Sequence, residues 1–284
     1  MIDIILVHTG NIFPEHINDC ISQLKKYDFN IHLIISECLR SNVNSDGIIL
    51  SSAEEYESTE YKSYDIKSHD VGFRDGFWKR TSSRFMIISS YIASNGMESI
   101  FHIENDVLIF SDLKDVKSLL DKSKYEMAVV LDSESRCIPS IVYFKNLDIS
   151  NRLSKFIFEN NSNNDMSNLF NFFKRNRNVV TNLPILPSNT LVSNDISGEI
   201  DYSNLYNKLQ SIFDGAAIGQ YIDGVDTRNN QNDTIGFVNE TTIFNVSNFQ
   251  YIFENNEPYM INGNIKTKIY NLHIHSKDLK KFTK

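Results

Sequence analysis

The first thirty-six residues restrict the architecture more than any other part of the chain. Residues 2–8 (IDIILVH) form an apolar run of strand length, broken once by Asp3 and ended by the turn chemistry of Thr9, Gly10 and Asn11. Residues 14–27 place Ile17, Cys20, Ile21 and Leu24 at helical spacing, with Pro14 suited to a first turn, and residues 30–36 return as a strand. A strand, a helix and a strand joined by short connections close as a right-handed parallel crossover, so an α/β sheet is predicted. In such sheets ligands bind beyond the carboxyl ends of the strands, which makes Thr9 and Gly10 candidates to touch a nucleotide, although ordinary turn residues fit there equally well. Neither GxGxxG nor GxxxxGK[ST] follows the strand, which argues against a dinucleotide fold and a P-loop.

Residues 100–110 (IFHIENDVLIF) interrupt an apolar strand pattern with Glu104, Asn105 and Asp106. An uncompensated buried charge costs several kcal/mol, so two acids at i, i+2 either turn outward at a strand end or share a cation. At a sheet's carboxyl edge they can hold a divalent metal that in turn grips a phosphate. The chain ends in IYNLHIHSKDLKKF, where His273 and His275 sit at i, i+2 on a predicted strand and can face one site.

Charge and cysteine usage narrow the class. A net charge of −8 disfavours a nucleic-acid binder, yet one metal and two basic side chains are enough to neutralise a diphosphate. Three widely spaced cysteines without a CxxC indicate neither a disulfide framework nor a zinc site, and fit reduced thiols in a cytoplasmic setting. Asp3 interrupts the first apolar run and no cleavage site follows, so that run is read as a strand; no membrane span is expected.

Between these landmarks, a helix is predicted from Phe77 to Asn95, stopped by Gly96, with Lys79, Arg80 and Arg84 near its start. Further strands are predicted over residues 126–131 and 137–145, with a bend at Pro139, and helices over 112–122, 150–159 and 166–175, the last opened by Asn164-Asp165. Residues 203–221 (SNLYNKLQSIFDGAAIGQY) read as a helix broken at Gly215, whose small residues suggest close packing or a pocket floor. Asn255-Asn256 and Asn262-Gly263 are hairpin signals.

Together these motifs resemble the GT-A glycosyltransferases, with an order similar to the retaining family 8 enzymes and to uncharacterised bacterial and large-virus glycosyltransferases. HIENDV resembles their DxD metal motif, NDM with LPILPSN resembles a DQ pair followed by LPxxxN, and HIHSK resembles a variant of HxGxxKPW. Glu104 for Asp, Met166 for Gln and the shortened HIHSK depart from the pattern. The resemblance implies one domain over 1–284, with a nucleotide-binding half of about residues 1–112 and a sugar and acceptor half of about 113–284. Its fold would be a mixed, mostly parallel central sheet flanked by helices, closed at the site by a C-terminal hairpin and strand. Glu104, Asp106 and His275, with His273 in reserve, would bind Mn²⁺ or Mg²⁺. Thr9, Gly10, Asn105, Arg84 and Lys277 would bind a nucleotide-diphosphate sugar, most simply a UDP-sugar. Asp165 would orient the donor sugar in a retaining transfer to a glycan or other hydroxyl acceptor; Asp214 or Glu240 would act as base were the reaction inverting. A silent nucleotide- or carbohydrate-binding module and a metal-dependent phosphoesterase are the alternative expectations.

Overall fold

In a computed structural model the described residues are 1–67, 69, 72–188, 190, 197–226, 235–236, 238 and 242–283. The chain runs β1 (Ile2–His8), α1 (His16–Leu24), β2 (Phe29–Ile35), β3 (Ile49–Ser52), α2 (Thr59–Ser63), α3 (Phe77–Asn95), β4 (Ile100–Ile103), β5 (Val107–Ile109) and α4 (Lys114–Asp121). It continues with β6 (Met127–Leu131), β7 (Cys137–Phe144), α5 (Leu147–Glu159), α6 (Asp165–Arg175), β8 (Val180–Leu183), α7 (Tyr206–Leu209), β9 (Ser211–Ile212) and α8 (Ala217–Asp223). The end is β10 (Gln250–Glu254), β11 (Glu257–Asn262), β12 (Ile265–Ile269) and β13 (Asn271–His273).

Seven strands form the central sheet in the order β3-β2-β1-β4-β7-β6-β8, and β7 runs antiparallel to both of its neighbours while the other pairs are parallel. The sheet is therefore mixed and mostly parallel, flanked by helices. Ile4, Ile5 and Leu6 in β1 are fully buried, the signature of a central strand covered on both faces. From β1 the chain adds β2 on one side and β4 on the other. That reversal creates a switch point at the carboxyl ends of β1 and β4, where this architecture leaves a crevice.

Two departures from the sequence reading have physical causes. Residues 203–221 are not one helix. Gln210 turns left-handed (φ 51°), and Ser211 and Ile212 pair in parallel with Lys268 and Ile269, so a long-range strand partner overrides the local helical pattern. Pro139 does not bend the chain ahead of β7 but lies within it, beside a register shift in the β6–β7 pairing. There a residue without an N–H removes no regular ladder bond. The hairpin turns stand where their Asn and Gly residues put them: Asn255, Asn256 and Gly263 all have positive φ, at 52°, 64° and 57°.

Cys20 and Cys137 are buried, and desolvation pushes both thiols up from their usual range; Cys38 is exposed. Because the thiolate is the reactive form, an aromatic disulfide reagent is expected to modify Cys38 alone in the native protein and all three thiols after denaturation. Rapid native labelling of a second cysteine would contradict this packing.

Candidate active site

The acids follow β4 directly at the switch point. Val107 N–H donates to Glu104 O (3.2 Å), closing a tight turn that projects Glu104, Asn105 and Asp106 from the sheet edge. Beyond the turn β5 leaves the main sheet and pairs antiparallel with β13, with Val107 opposite His273. Ile274 N–H also donates to Asp106 O (2.9 Å). This register is what carries a residue from the chain's end to the mid-chain acids.

His273 Nε2 lies 3.1 Å from Asp106 Oδ2 and 3.8 Å from Glu104 Oε2. One ligand atom from each of Glu104, Asp106 and His273 falls within 4.8 Å of the others. His273 Nδ1 is 2.7 Å from Gly215 O and donates to it, which turns Nε2 toward the acids. A carbonyl placed behind the ring in this way sets the tautomer that a metal-binding imidazole needs. The donor set therefore suits a divalent cation: two carboxylates and an imidazole lone pair, converging at one point. Although burial favours the neutral ring, Asp106 and Glu104 raise His273 to about 9. Although burial also opposes it, His273 and Lys277 hold the Asp106 carboxyl well below its ordinary value. The imidazole proton bridges this pair, and a bound cation would replace it.

The imidazole that meets both acids is thus His273, reversing the order in which the terminal motif ranked the two histidines. β13 ends at His273 and the chain turns, so His275 lies beyond the strand, its ring centroid 5.4 Å from that of His273. Burial and the neighbouring Lys277 depress His275 to about 3, which keeps its ring neutral.

Arg84 on α3 is buried and bridges two carboxylates, with Nη1 2.7 Å from Glu104 Oε1 and Nη2 2.8 Å from Asp165 Oδ2. Asn164 caps α6 by accepting from Ser167 N–H (2.9 Å), which leaves the Asp165 carboxylate to turn toward Arg84. Burial holds the Asp165 carboxyl above its usual range, with Arg84 opposing. Lys277 Nζ bonds to Asp106 Oδ2. Three carboxyl groups, from Glu104, Asp106 and Asp165, thus face two basic side chains, Arg84 and Lys277.

Asp214 lies at the centre of the scaffold, and both of its oxygens are taken up by backbone donors. Its Oδ1 accepts from Ile218 N–H (3.0 Å), and its Oδ2 accepts from Gly219 N–H (2.9 Å) and His273 N–H (3.0 Å). It caps α8 and ties α8 to β13, so its place is structural rather than that of a base. Burial raises its carboxyl above the ordinary range against those donors. Glu240 lies outside the described residues. Thr9 lies beside the Tyr61 side chain, and Gly10 N–H donates to Ser36 Oγ (3.0 Å). Asn105 joins that strand end to the acids: its Nδ2 lies 3.2 Å from His8 Nδ1, and its Oδ1 3.1 Å from His16 Nε2.

No family model matches this chain. No curated protein matches it either. Solved structures that it resembles include mouse xyloside xylosyltransferase 1 in its apo form, at 7% identity over 64% of this chain and 85% of that one, with a TM-score of 0.43. An active-site mutant of LgtC is 12% identical over 68% of this chain and 80% of that one, with a TM-score of 0.44. The glycosyltransferase GlyE of Streptococcus pneumoniae TIGR4 is 11% identical over 64% of this chain and 44% of that one, with a TM-score of 0.41. Nucleotidyltransferases also occur among the similar structures.

Several roles at the site escaped the sequence reading. Gly215 acts through its carbonyl and Asp214 through backbone donors, roles that carry no side-chain signature; the run of small residues around them was the available signal. Asp223, at the end of α8, accepts from Ser276 Oγ and from Lys281 Nζ (2.8 Å), and Ser276 Oγ accepts from Asp278 N–H (3.2 Å). These bonds brace the turn that holds Lys277 in a left-handed conformation (φ 70°) with its ammonium on Asp106. Asp223→Ala is expected to speed hydrogen exchange at the Lys277 and Asp278 amides while leaving β1 and β4 protected. Unchanged exchange there would mean that Asp223 does not brace the turn.

Proposed function

We propose that this protein is a metal-dependent glycosyltransferase that moves a sugar from a nucleotide-diphosphate donor to a hydroxyl acceptor. The observation that carries the reading is the meeting of Glu104, Asp106 and His273 at the sheet's switch point, with Lys277 on Asp106. The resemblance of HIENDV, NDM and HIHSK to glycosyltransferase motifs supports the same reaction.

Glu104, Asp106 and His273 would hold the cation. Oxygen ligands joined by one imidazole favour Mn²⁺ over Mg²⁺. When bound, the ion supplies positive charge where the leaving diphosphate gains negative charge. Lys277 adds a second cation to that charge. Arg84 spends both terminal nitrogens on Glu104 and Asp165, so it acts by positioning those carboxylates. Thr9, Gly10 and Asn105 line the edge where the nucleoside would lie, with a UDP-sugar as the simplest donor. Asp165 would orient donor hydroxyls and stabilise positive charge at the anomeric carbon, in keeping with retention. The backbone N–H groups that occupy Asp214 weigh against it as an inverting base.

The test is thermal denaturation with nucleotide sugars, with and without Mn²⁺. A ligand at a hundred times its Kd adds about 2.7 kcal/mol of stability. For a chain of this size that raises the melting temperature by roughly 5 °C. At least one UDP-sugar is expected to give such a shift only with Mn²⁺. Asp106→Asn should remove the shift and lower transfer on the order of 10²–10³-fold. An equal shift without metal, or full turnover in Asp106→Asn, would refute the assignment.

A further inference from the structure

The face of α1 that meets the acid turn is polar at regular intervals. His16, Cys20 and Gln23 stand at i, i+4 and i+7, one stripe of the helix, and bond in that order to Asn105, Val107 and Ile109. Cys20 Sγ donates to Val107 O (3.3 Å), and Gln23 Nε2 donates to Ile109 O (2.9 Å). β5 pairs with β13 along one edge, so these side chains satisfy carbonyls on the other edge that a neighbouring strand would otherwise take. The spacings agree. Seven residues of helix advance about 10 Å and four residues of extended chain about 13 Å, a difference within the reach of the His and Gln side chains.

Where the stripe meets the turn, three side chains form a chain of hydrogen bonds with a single direction. Ile12 O can only accept, so His8 Nε2, 3.0 Å from it, carries a hydrogen. Burial holds His8 below its ordinary value and keeps the ring neutral, so Nδ1 offers a lone pair. Asn105 Nδ2 therefore donates to His8 Nδ1 (3.2 Å), and His16 Nε2 donates to Asn105 Oδ1 (3.1 Å). Both ends of the Asn105 amide are thus committed to rings on different elements, β1 and α1. Asn105 is also the first central residue of the turn that Val107 N–H closes on Glu104 O (3.2 Å), with an acid on each side of it in the chain. Holding its side chain at both ends holds the turn, and with it the aim of Glu104 and Asp106.

We propose that His8 and His16 are positioning residues of the cation site, acting through Asn105 to hold the two acids at the separation that one divalent ion requires. The inference rests on the cation site of the proposed function and adds the residues that set its geometry. Neither histidine belongs to the donor group of Glu104, Asp106 and His273, so each acts through the turn rather than on the ion. Two carboxylates one residue apart repel, and a turn able to twist would let them swing apart before an ion arrives. Clamped from β1 and α1, the turn keeps them together, so less of the ion's binding energy is spent on ordering its ligands.

The test titrates Mn²⁺ into the full chain with and without UDP, reading the free ion by its electron paramagnetic resonance signal. His16→Leu removes the donor to Asn105 and should weaken Mn²⁺ binding about tenfold or more, the usual effect of losing a group that orients a metal ligand. His16→Gln, whose side-chain amide can supply the same N–H, should recover most of that affinity. Gln23→Leu is the structural control. It removes a bond of the same stripe at Ile109, beyond the turn, so it should lower the melting temperature and leave Mn²⁺ affinity as in the parent. Without metal, long-range ¹H–¹⁵N spectra are expected to show His8 as the Nε2–H tautomer. Parent-like Mn²⁺ affinity in His16→Leu, an equal loss of affinity in Gln23→Leu, no recovery in His16→Gln, or the opposite His8 tautomer overturns the clamp. In each of those cases Mn²⁺ binding by the parent leaves the transferase reading standing. A parent that binds no Mn²⁺ in either titration removes the cation site, and the clamp with it.

Discussion

Arg84→Met is expected to lower the melting temperature by on the order of 10 °C, corresponding to the roughly 3–5 kcal/mol lost when one partner is removed from a buried ionic group. The guanidinium is the group that lets Glu104 and Asp165 approach each other from different elements, and both of its terminal nitrogens are committed to them. Methionine keeps much of the stem and its packing, so the loss isolates the charge. Two carboxylates would then face each other, and Asp165, already above its usual range through burial, would take up a proton. Adding Asp165→Asn to Arg84→Met should recover a large part of the stability, because the stranded charge goes with it. Calorimetry on the two single variants and the double gives the coupling directly. A loss below about 1 kcal/mol in Arg84→Met would show an ion pair shared with solvent, since exposed pairs contribute no more than that.

The parts of this site that could be read from sequence are those where burial and charge conflict. IFHIENDVLIF set charged residues inside an apolar strand pattern, and the first βαβ unit placed a ligand edge beyond the strands, so a cluster of acids at that edge could be read from the residues, with a shared cation as one of the two readings their spacing left open. The choice between His273 and His275 could not be read that way. Both stand at i, i+2 with a polar follower, and the decision rests on the pairing of Val107 with His273 across more than half the chain. Local periodicity carries no information about such a partner. The same holds for residues 203–221, where a helical pattern gave way to the edge of β12, and for Asp214, whose carboxylate meets only backbone donors. Asn164 and Asp165 show the converse. Either could have been the helix cap, and the capping by Asn164 left the buried acid for Arg84.

Gly219→Ala sets two effects of opposite sign against each other. In a helix interior alanine exceeds glycine by roughly 0.8–1 kcal/mol, so propensity alone predicts a more stable protein. Sterics predict the reverse. A Cβ on Gly219 would sit 2.0 Å from His273 O, 2.7 Å from its carbonyl carbon and 3.1 Å from Asp214 Oδ2. The first two contacts are with backbone, which cannot swing aside as a long side chain can. Either α8 or the end of β13 must move, and forcing an extra carbon into a packed site costs about 1–3 kcal/mol or more. The steric term wins, with an expected fall in melting temperature of several degrees. The movement also reaches the geometry of the candidate cation site, because Gly219 N–H and His273 N–H share Asp214 Oδ2 and the His273 ring is steered by Gly215 O. The stabilisation by Mn²⁺ expected under the proposed function should therefore fall in Gly219→Ala by more than the general loss of stability explains. Gly215→Ala is the control within the same motif: its Cβ would meet Ile138 at 3.4 Å, an ordinary contact, and its carbonyl would remain in place. That variant should melt within about 1 kcal/mol of the parent. If the two alanine variants behave alike, the close approach of α8 to β13 does not set the position of His273.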